Sequence, residues 1–350
     1  MNKLTADLVI NETDLPIIDV RSPSEFLQGH IPGAHSVPLF DDNERAEIGK
    51  LYKRVGQQQA IDRGIKIGTK HIPRLIEQIT QVSSGSRFAL HCWRGGMRSQ
   101  SVADLCQKHS LEPTLIEGGY KAYRNCVHRG LEKPRRVIIL AGQTGGGKTQ
   151  LLHHLKEAGQ QVIDLEGLAG HRGSVFGGLG FDPQPTVEQF ENNLFTQWQT
   201  LDTTNPVWIE GESQSIGDVN IPSSFWQHMI NAPAIFIEVP RSARLDFLLE
   251  EYGGLPSEAL SGAITRLKKR LGGDRLSKAL AALENNDLRT FASLALEYYD
   301  KWYLKSLEKR PKETLTRLPL SSSGHPSFVP TLIDEADALL DSSASSPTTR

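Results

Sequence analysis

The sequence predicts two α/β domains in tandem, and three observations predict it. The chain is 350 residues long, a length that ordinarily divides into two domains and buries enough core to need no disulfide or metal staples. Short apolar runs alternate with helical patterns, the signature of parallel sheets with helices on their faces. A glycine-rich turn also stands directly between a strand and a helix in the second half.

The first domain, residues 1–133, opens its sheet with a buried strand over Leu15–Val20. Helical patterns follow around Glu44–Val55 and Ile72–Gln81, then a strand at Arg87-Phe88-Ala89-Leu90-His91 and a helical run from Gln100 to His109. Glu132-Lys133-Pro134-Arg135 reads as a polar linker. The second domain, residues 134–320, begins with a strand at Arg136–Leu140. Further apolar strands are expected at Val162–Leu165, Val207–Ile209 and Ala234–Val239, and helices from Arg241 to about Lys312. Residues 321–350 read as a C-terminal tail whose low-complexity end, Asp341–Arg350, is expected to be disordered. No internal repeat is found.

Composition removes several classes of function. Hydrophobic content of 38% and charged content of 23% exclude a wholly disordered chain. No run of 18 apolar residues exists, and an acid at Asp7 precedes any apolar core, so neither a membrane span nor a secretory signal is expected. Three scattered cysteines, Cys92, Cys106 and Cys126, make neither a disulfide framework nor a zinc site, so a reducing cytoplasm is the expected home. With a net charge of −2, a nucleic-acid partner must be met by a local basic face.

Chemistry concentrates first in His91-Cys92-Trp93-Arg94-Gly95-Gly96-Met97-Arg98-Ser99. A cysteine at a strand end, with a loop opening a helix behind it, sits among unpaired backbone N–H groups at the positive end of a dipole. Arg94 and Arg98 add two charges, so Cys92 should ionise below the free thiol value of about 8.5. Gly95 and Gly96 would let the backbone curl into an anion-binding nest. The plainer alternative is a buried structural cysteine, which is the better reading for Cys106 and Cys126. His91 is expected to pack or orient rather than act as a base.

The second centre is Gly142-Gln143-Thr144-Gly145-Gly146-Gly147-Lys148-Thr149, a G-x-x-x-x-G-K-T phosphate loop in its required strand–loop–helix setting. Its amides would wrap a diphosphate, Lys148 would reach the outer oxygens, and Thr149 can hold Mg²⁺. Diphosphate binding follows from this loop; nucleotide hydrolysis does not. Glu210, ending the Val207–Ile209 strand, is a candidate supporting carboxylate, and Asp164 is equally open to a catalytic or a structural role. His171-Arg172-Gly173-Ser174-Val175-Phe176-Gly177-Gly178-Leu179-Gly180 carries two basic groups and reads either as a lid over substrate or as a surface loop.

Residues 241–312 hold 14 Lys and Arg against 10 Asp and Glu, a basic excess in a chain that is acidic elsewhere. Arg266, Lys268, Lys269, Arg270 and Arg275 cluster there, followed by Lys301, Trp302, Tyr303 and Lys305. Positive charge with aromatics suits phosphate contact and base stacking in RNA; a solvated helix face explains the same residues.

Two resemblances sharpen these expectations. The Cys-x5-Arg spacing with a following Ser looks like the phosphate loop of protein tyrosine phosphatases. Upstream, Asp19-Val20-Arg21-Ser22-Pro23-Ser24-Glu25-Phe26-Leu27-Gln28-Gly29-His30-Ile31-Pro32-Gly33-Ala34 is similar to the N-terminal signature of rhodanese domains. Those domains transfer sulfur or selenium, commonly with one residue fewer between Cys and Arg. The longer loop suits a tetrahedral, phosphate-like chalcogen donor, and selenophosphate has that character.

A rhodanese-like domain followed by a P-loop domain, over roughly residues 10–320, resembles the bacterial tRNA 2-selenouridine synthase family, as do Cys92–Ser99, Gly142–Thr149 and His171–Gly177. The resemblance implies a transferase acting on wobble 2-thiouridine of tRNA. Its sulfur would be geranylated from geranyl diphosphate and then replaced by selenium from selenophosphate, carried on Cys92 and with Arg94, Arg98 and the loop amides holding phosphate. Both donors would be co-substrates, and no tightly bound cofactor or obligate protein partner is implied. Phe176, Leu179 and Phe181 are candidates for the geranyl pocket. The alternatives are a rhodanese-type sulfurtransferase with a regulatory nucleotide-binding domain, which the enlarged loop disfavours, and a cysteine phosphatase. The latter needs a mobile acid, and no Trp-Pro-Asp segment is present; Asp41 or Asp42 would have to serve.

Overall fold

A computed structural model describes the chain except for residues 1, 12–13, 84–85, 308–309, 312–313 and 345–350. It forms two compact units: Met1–Gly130 with Glu191–Thr196, and Leu131–Phe190 with Gln197–Arg350. Among the described residues no helix is long and apolar enough to cross a membrane.

The first unit has strands β1 (Asn2–Leu4), β2 (Ile17–Asp19), β3 (His35–Ser36), β4 (Arg87–His91) and β5 (Glu112–Ile116). Its helices are α1 (Ala6–Asn11), α2 (Pro23–Gln28), α3 (Asp42–Arg54), α4 (Gln57–Ser83), α5 (Met97–Lys108) and α6 (Gly119–Leu131). The strands pair in the order β1-β5-β4-β2-β3, all parallel. Because βαβ crossovers cover both faces, the central strands are buried on both sides: Phe88, Ala89 and Leu90 are fully buried, and Ile18, Leu75 and Ile79 join them in the core. The expected strands at Leu15–Val20 and Arg87–His91 are present. The two helical patterns prove to be parts of α3 and of the single long helix α4, which continues through Pro73.

The second unit has strands β6 (Val137–Gly142), β7 (Gln161–Ile163), β8 (Val207–Glu210), β9 (Ser215–Ile216), β10 (Val219–Asn220), β11 (Ala234–Glu238) and β12 (Leu315–Pro319). Helices α7 (Lys148–Glu157), α8 (Leu165–Ala169) and α9 (Val187–Thr200) follow β6 and β7. Beyond β8 come α10 (Ser223–Asn231), α11 (Arg241–Tyr252), α12 (Ser257–Thr265), α13 (Lys268–Leu271), α14 (Gly273–Glu284), α15 (Leu288–Leu307) and α16 (Val329–Ala344). A parallel sheet runs β12-β11-β6-β8-β7, with β9 and β10 forming a separate antiparallel hairpin. Central β6 is buried along its whole length and delivers the phosphate loop at its carboxyl end, where open α/β sheets place their ligands. A second apolar cluster joins Leu260, Leu271, Leu276 and Phe291 of the helical part to Phe176.

The tail expectation is overturned. β12 pairs with β11 just before residue 321, and α16 buries Val329, Leu332, Ala336 and Leu340 against the sheet core. An apolar repeat at these spacings marks a helix packed on one face, and that helix extends through Asp341–Ala344. The remainder of the low-complexity end, 345–350, lies outside the described residues.

Candidate active site

Cys92 directly follows β4, with α5 beginning five residues later. The backbone of the loop turns tightly: Gly95 has φ +61°, and a side chain there would press within 2.7 Å of the Ile116 carbonyl. Gly96, by contrast, has a negative φ and open space around it, so the turn demands a glycine at Gly95 and not at Gly96. The floor comes from α6. At Gly119 a Cβ would lie 2.3 Å from the Cys92 carbonyl and 2.4 Å from the Gly95 nitrogen, while Tyr120 N donates to that carbonyl at 2.9 Å.

Cys92 is only 3% exposed, and burial alone would raise its thiol. Ser99 Oγ–H toward Sγ at 3.3 Å, the Ser99 and Arg94 amides and the charge of Arg98 outweigh burial and hold the thiol below its ordinary value. Cys106 shows the opposite: with burial unopposed, its thiol is pushed up to about 12.

The two arginines divide. Arg98 is committed to Glu25 through bonds of 2.5 and 3.2 Å, so its fork is not free to cradle an anion as expected. It acts on Cys92 through space. Arg94 is exposed, as are Trp93 and Met97. Glu25 sits in the capping box of α2, and its ion pair with Arg98 holds its carboxyl low despite burial.

The rest of the upstream signature is scaffold. Buried Asp19 and Arg21 are bonded through both carboxylate oxygens, Arg21 also donates to the Gly29 carbonyl at 2.6 Å, and its guanidinium lies over Tyr120. His91 Nε2 stands 3.8 Å from Asp19, and burial keeps the ring neutral. His91 therefore packs, as expected.

In the second unit, Gly147 caps α7 in the left-handed region at φ +77°. A Cβ there would collide with Gly324, whose backbone lies against the loop, and Ser323 Oγ donates to the Gly145 carbonyl at 2.8 Å. Gly142, Gln143, Thr144 and Gly146 complete the turn. The Gly142 amide donates to Tyr303 Oη at 2.9 Å, and Tyr303 donates on to the Gly211 carbonyl. Tyr303 is thus part of the phosphate loop's support, and not a stacking platform for RNA.

Lys148 donates from Nζ to the Gly142 carbonyl at 3.0 Å over the Tyr303 ring. Burial works against its charge, but Tyr303, Glu212, Glu166 and Glu210 hold it above the ordinary lysine value. Thr149 Oγ donates to Glu166 at 3.0 Å. Burial, followed by the neighbouring Glu212, pushes Glu166 up to about 8.

Glu210, the candidate supporting carboxylate, acts electrostatically on Lys148 of the loop, and Asp164, open to either role, is engaged structurally. Glu210 is buried, accepts the Glu166 amide at 2.6 Å on one oxygen and leaves the other without a hydrogen-bond partner. Burial, then Asp164 and Glu166, raises it well above its ordinary value. Asp164 caps α8 through the Gly167 amide and pairs with His153, which is a structural role.

The 171–180 segment is folded onto the helical part: Val175 N donates to Tyr299, Arg172 pairs with Glu251, and Phe176 is buried. His171 is half-buried with an unpartnered Nδ1, and burial lowers its pKa. Arg266, Lys268, Lys269, Arg270 and Arg275 are all exposed. Arg266 is tied to the Val175 carbonyl and Arg275 lies 3.9 Å from Glu297. Lys301 is exposed too; the side chains of Trp302 and Lys305 lie outside the described residues.

Three contributors have only faint sequence signals. Glu25 stands in the stretch similar to rhodanese domains, Glu166 two residues past a strand-ending Asp, and Gly119 in a Gly-Gly pair after a strand. Tyr303 carries none.

Comparison with known proteins agrees with this architecture. Residues 3–126 match the rhodanese-like domain family, and residues 135–320 match the family described as the tRNA 2-selenouridine synthase AAA domain. The tRNA 2-selenouridine synthase of Nitrosomonas europaea is 33% identical over 85% of this chain and 90% of its own. That of Chromohalobacter salexigens is 36% identical over 86% and 90%. The chain belongs to the tRNA 2-selenouridine synthase family.

Proposed function

We propose that the protein converts 2-thiouridine at the wobble position of tRNA to 2-selenouridine in two steps. First, the thiocarbonyl sulfur attacks C1 of geranyl diphosphate; the carbon–oxygen bond breaks, diphosphate leaves, and the base loses its N3 proton. Second, selenium from selenophosphate replaces the S-geranyl group, releasing geranylthiol and phosphate. Alkylation turns a poor leaving group into a thiol that can depart.

In the first step the P-loop amides and the charged Lys148 stabilise negative charge growing on diphosphate. Magnesium fits here: Thr149 Oγ and Glu166 Oε2 are 3.0 Å apart, about the spacing of neighbouring oxygens around an octahedral ion with bonds of about 2.0–2.1 Å. Such an ion would neutralise diphosphate charge.

In the second step, electron count refines the task of Cys92. Selenium leaves the donor as selenide and enters the base as selenide, so a perselenide on cysteine would require an oxidant. A thiolate that attacks phosphorus requires none. The phosphorus–selenium bond breaks, selenide is released toward the base, and water returns phosphate and free Cys92. The loop amides and the exposed Arg94 suit phosphorus attack, with Arg98 contributing its charge through space. The exposed cluster Arg266, Lys268, Lys269, Arg270 and Arg275 is the proposed tRNA contact, and neutralising it should weaken tRNA binding and flatten its salt dependence.

The observation that carries this reading is the setting of Cys92: a buried sulfur between a strand and a helix, kept ionisable by the Ser99 hydroxyl and the Ser99 and Arg94 amides. Mass analysis of nucleosides from thiolated tRNA, given each donor separately and then together, tests it. Cys92→Ser should accumulate S-geranylated tRNA with no selenium; loss of geranylation by the folded variant refutes the division of labour. Lys148→Ala should impair geranyl transfer at limiting donor, and unchanged transfer contradicts its role.

A further inference from the structure

An apolar slot opens at the phosphate loop. It starts at Thr144 and runs between Phe176, Leu248, Tyr252, Phe291, Ala292 and Ala295, with about 510 Å³ of empty space counting its mouth. It is narrow: about 40 Å³ could hold the centre of a water molecule. Two hydroxyls along its wall are already engaged: Tyr299 Oη accepts from Val175 N and Ser174 Oγ from Phe176 N.

The slot and the loop are built from the same supports. Arg244 of α11 donates to the Thr144 carbonyl at 3.2 Å and is bonded through both nitrogens to Asp300 of α15. These two helices also furnish Leu248, Ala292 and Ala295. The loop's position is therefore fixed relative to the slot, whose lining includes Thr144 of the loop itself.

A planar purine carries donors and acceptors around its edge, and burying them unpaired costs roughly 1–3 kcal/mol each. A flexible hydrocarbon chain has no such groups and follows a narrow slot. We infer that this slot receives the prenyl chain of the diphosphate donor and sets its preferred length. Phe176 is thereby kept from the expected pocket residues. Leu179 is partly buried in the adjacent core without lining the slot, and Phe181 lies exposed under Arg172.

The inference rests on the geranyl-transfer reading, and binding separates the two. With full-length protein, calorimetric titration compares inorganic diphosphate, geranyl diphosphate and farnesyl diphosphate. Geranyl diphosphate should bind at least about tenfold tighter than inorganic diphosphate, the gain expected from burying even two methylene-sized groups. Ala292→Phe, which fills the slot, should abolish that gain and leave the affinity for inorganic diphosphate unchanged. Leu288 also lines the slot; Leu288→Ala, which widens it, should shift preference toward the farnesyl chain and serves alone if Ala292→Phe does not fold. A gain that survives Ala292→Phe, or an unchanged length preference in Leu288→Ala, overturns the slot while geranyl transfer to tRNA stands. Wild-type protein that neither gains affinity from the chain nor makes S-geranylated tRNA overturns both.

Discussion

Ser99→Ala should raise the Cys92 thiol pKa and slow selenium delivery at neutral pH. Ser99 is fully buried, and its hydroxyl lies 3.3 Å from Cys92 Sγ and 3.1 Å from the Gly96 carbonyl. When the thiol is neutral the proton can satisfy the carbonyl; when it is ionised the proton turns to sulfur. Removing the hydroxyl therefore acts mainly on the thiolate. A hydrogen bond to a charged group is worth about 1.5–3 kcal/mol, and that is the stabilisation of the thiolate at stake. The vacated space is about one oxygen atom, too small to admit a replacement water. The Ser99 and Arg94 amides and Arg98 remain, so part of the depression should persist. The assay is the rate of iodoacetamide alkylation against pH, with Cys92 resolved from Cys106 and Cys126 by peptide mass. Coincident inflections in wild type and variant would falsify the assignment of Ser99.

Other perturbations test the surrounding structure. Gly119→Ala places a methyl 2.3 Å from the Cys92 carbonyl at φ +58°; it should cost at least about 1–3 kcal/mol and distort the cysteine loop, seen as a lowered Tm with lost selenium transfer. Glu166 titrates near 8 in the folded protein against an ordinary 4.5. The native state thus holds a proton that the unfolded chain releases, so stability should decline as pH rises across that window. Glu166→Gln should flatten the decline, measured by urea unfolding at pH 5 and pH 8.5, and an identical slope argues against it. Leu332→Ala should destabilise the second unit by about 2–5 kcal/mol; an unchanged urea midpoint would mean that α16 does not belong to the core.

The sequence made visible what depends on local rules. The phosphate loop and the cysteine loop each follow an apolar strand and open a helix, so glycine and charge placement located them. What stayed hidden depends on pairing across distance. β5 contains Pro113 and β12 ends in Pro319, which masks both as strands, and α16 shares its stretch with serines that suggest a tail. Arg98 looked like a free cation because its partner, Glu25, lies 73 residues away. Glu166 was passed over for Asp164 because either could follow β7; only the fold shows Asp164 spent on capping α8.

Ser323 and Gly324 brace a loop that left the ribosome 178 residues earlier, as the separation of Ser323 from Gly145 records. At bacterial synthesis speeds of about 5–20 residues per second, that interval is roughly 10–35 s. For all that time the growing chain carries a bound-for-phosphate turn without its brace. A polypeptide halted after α15 would own the sequence of the cup and lack its brace, so firm donor capture waits until Ser323 and Gly324 have emerged.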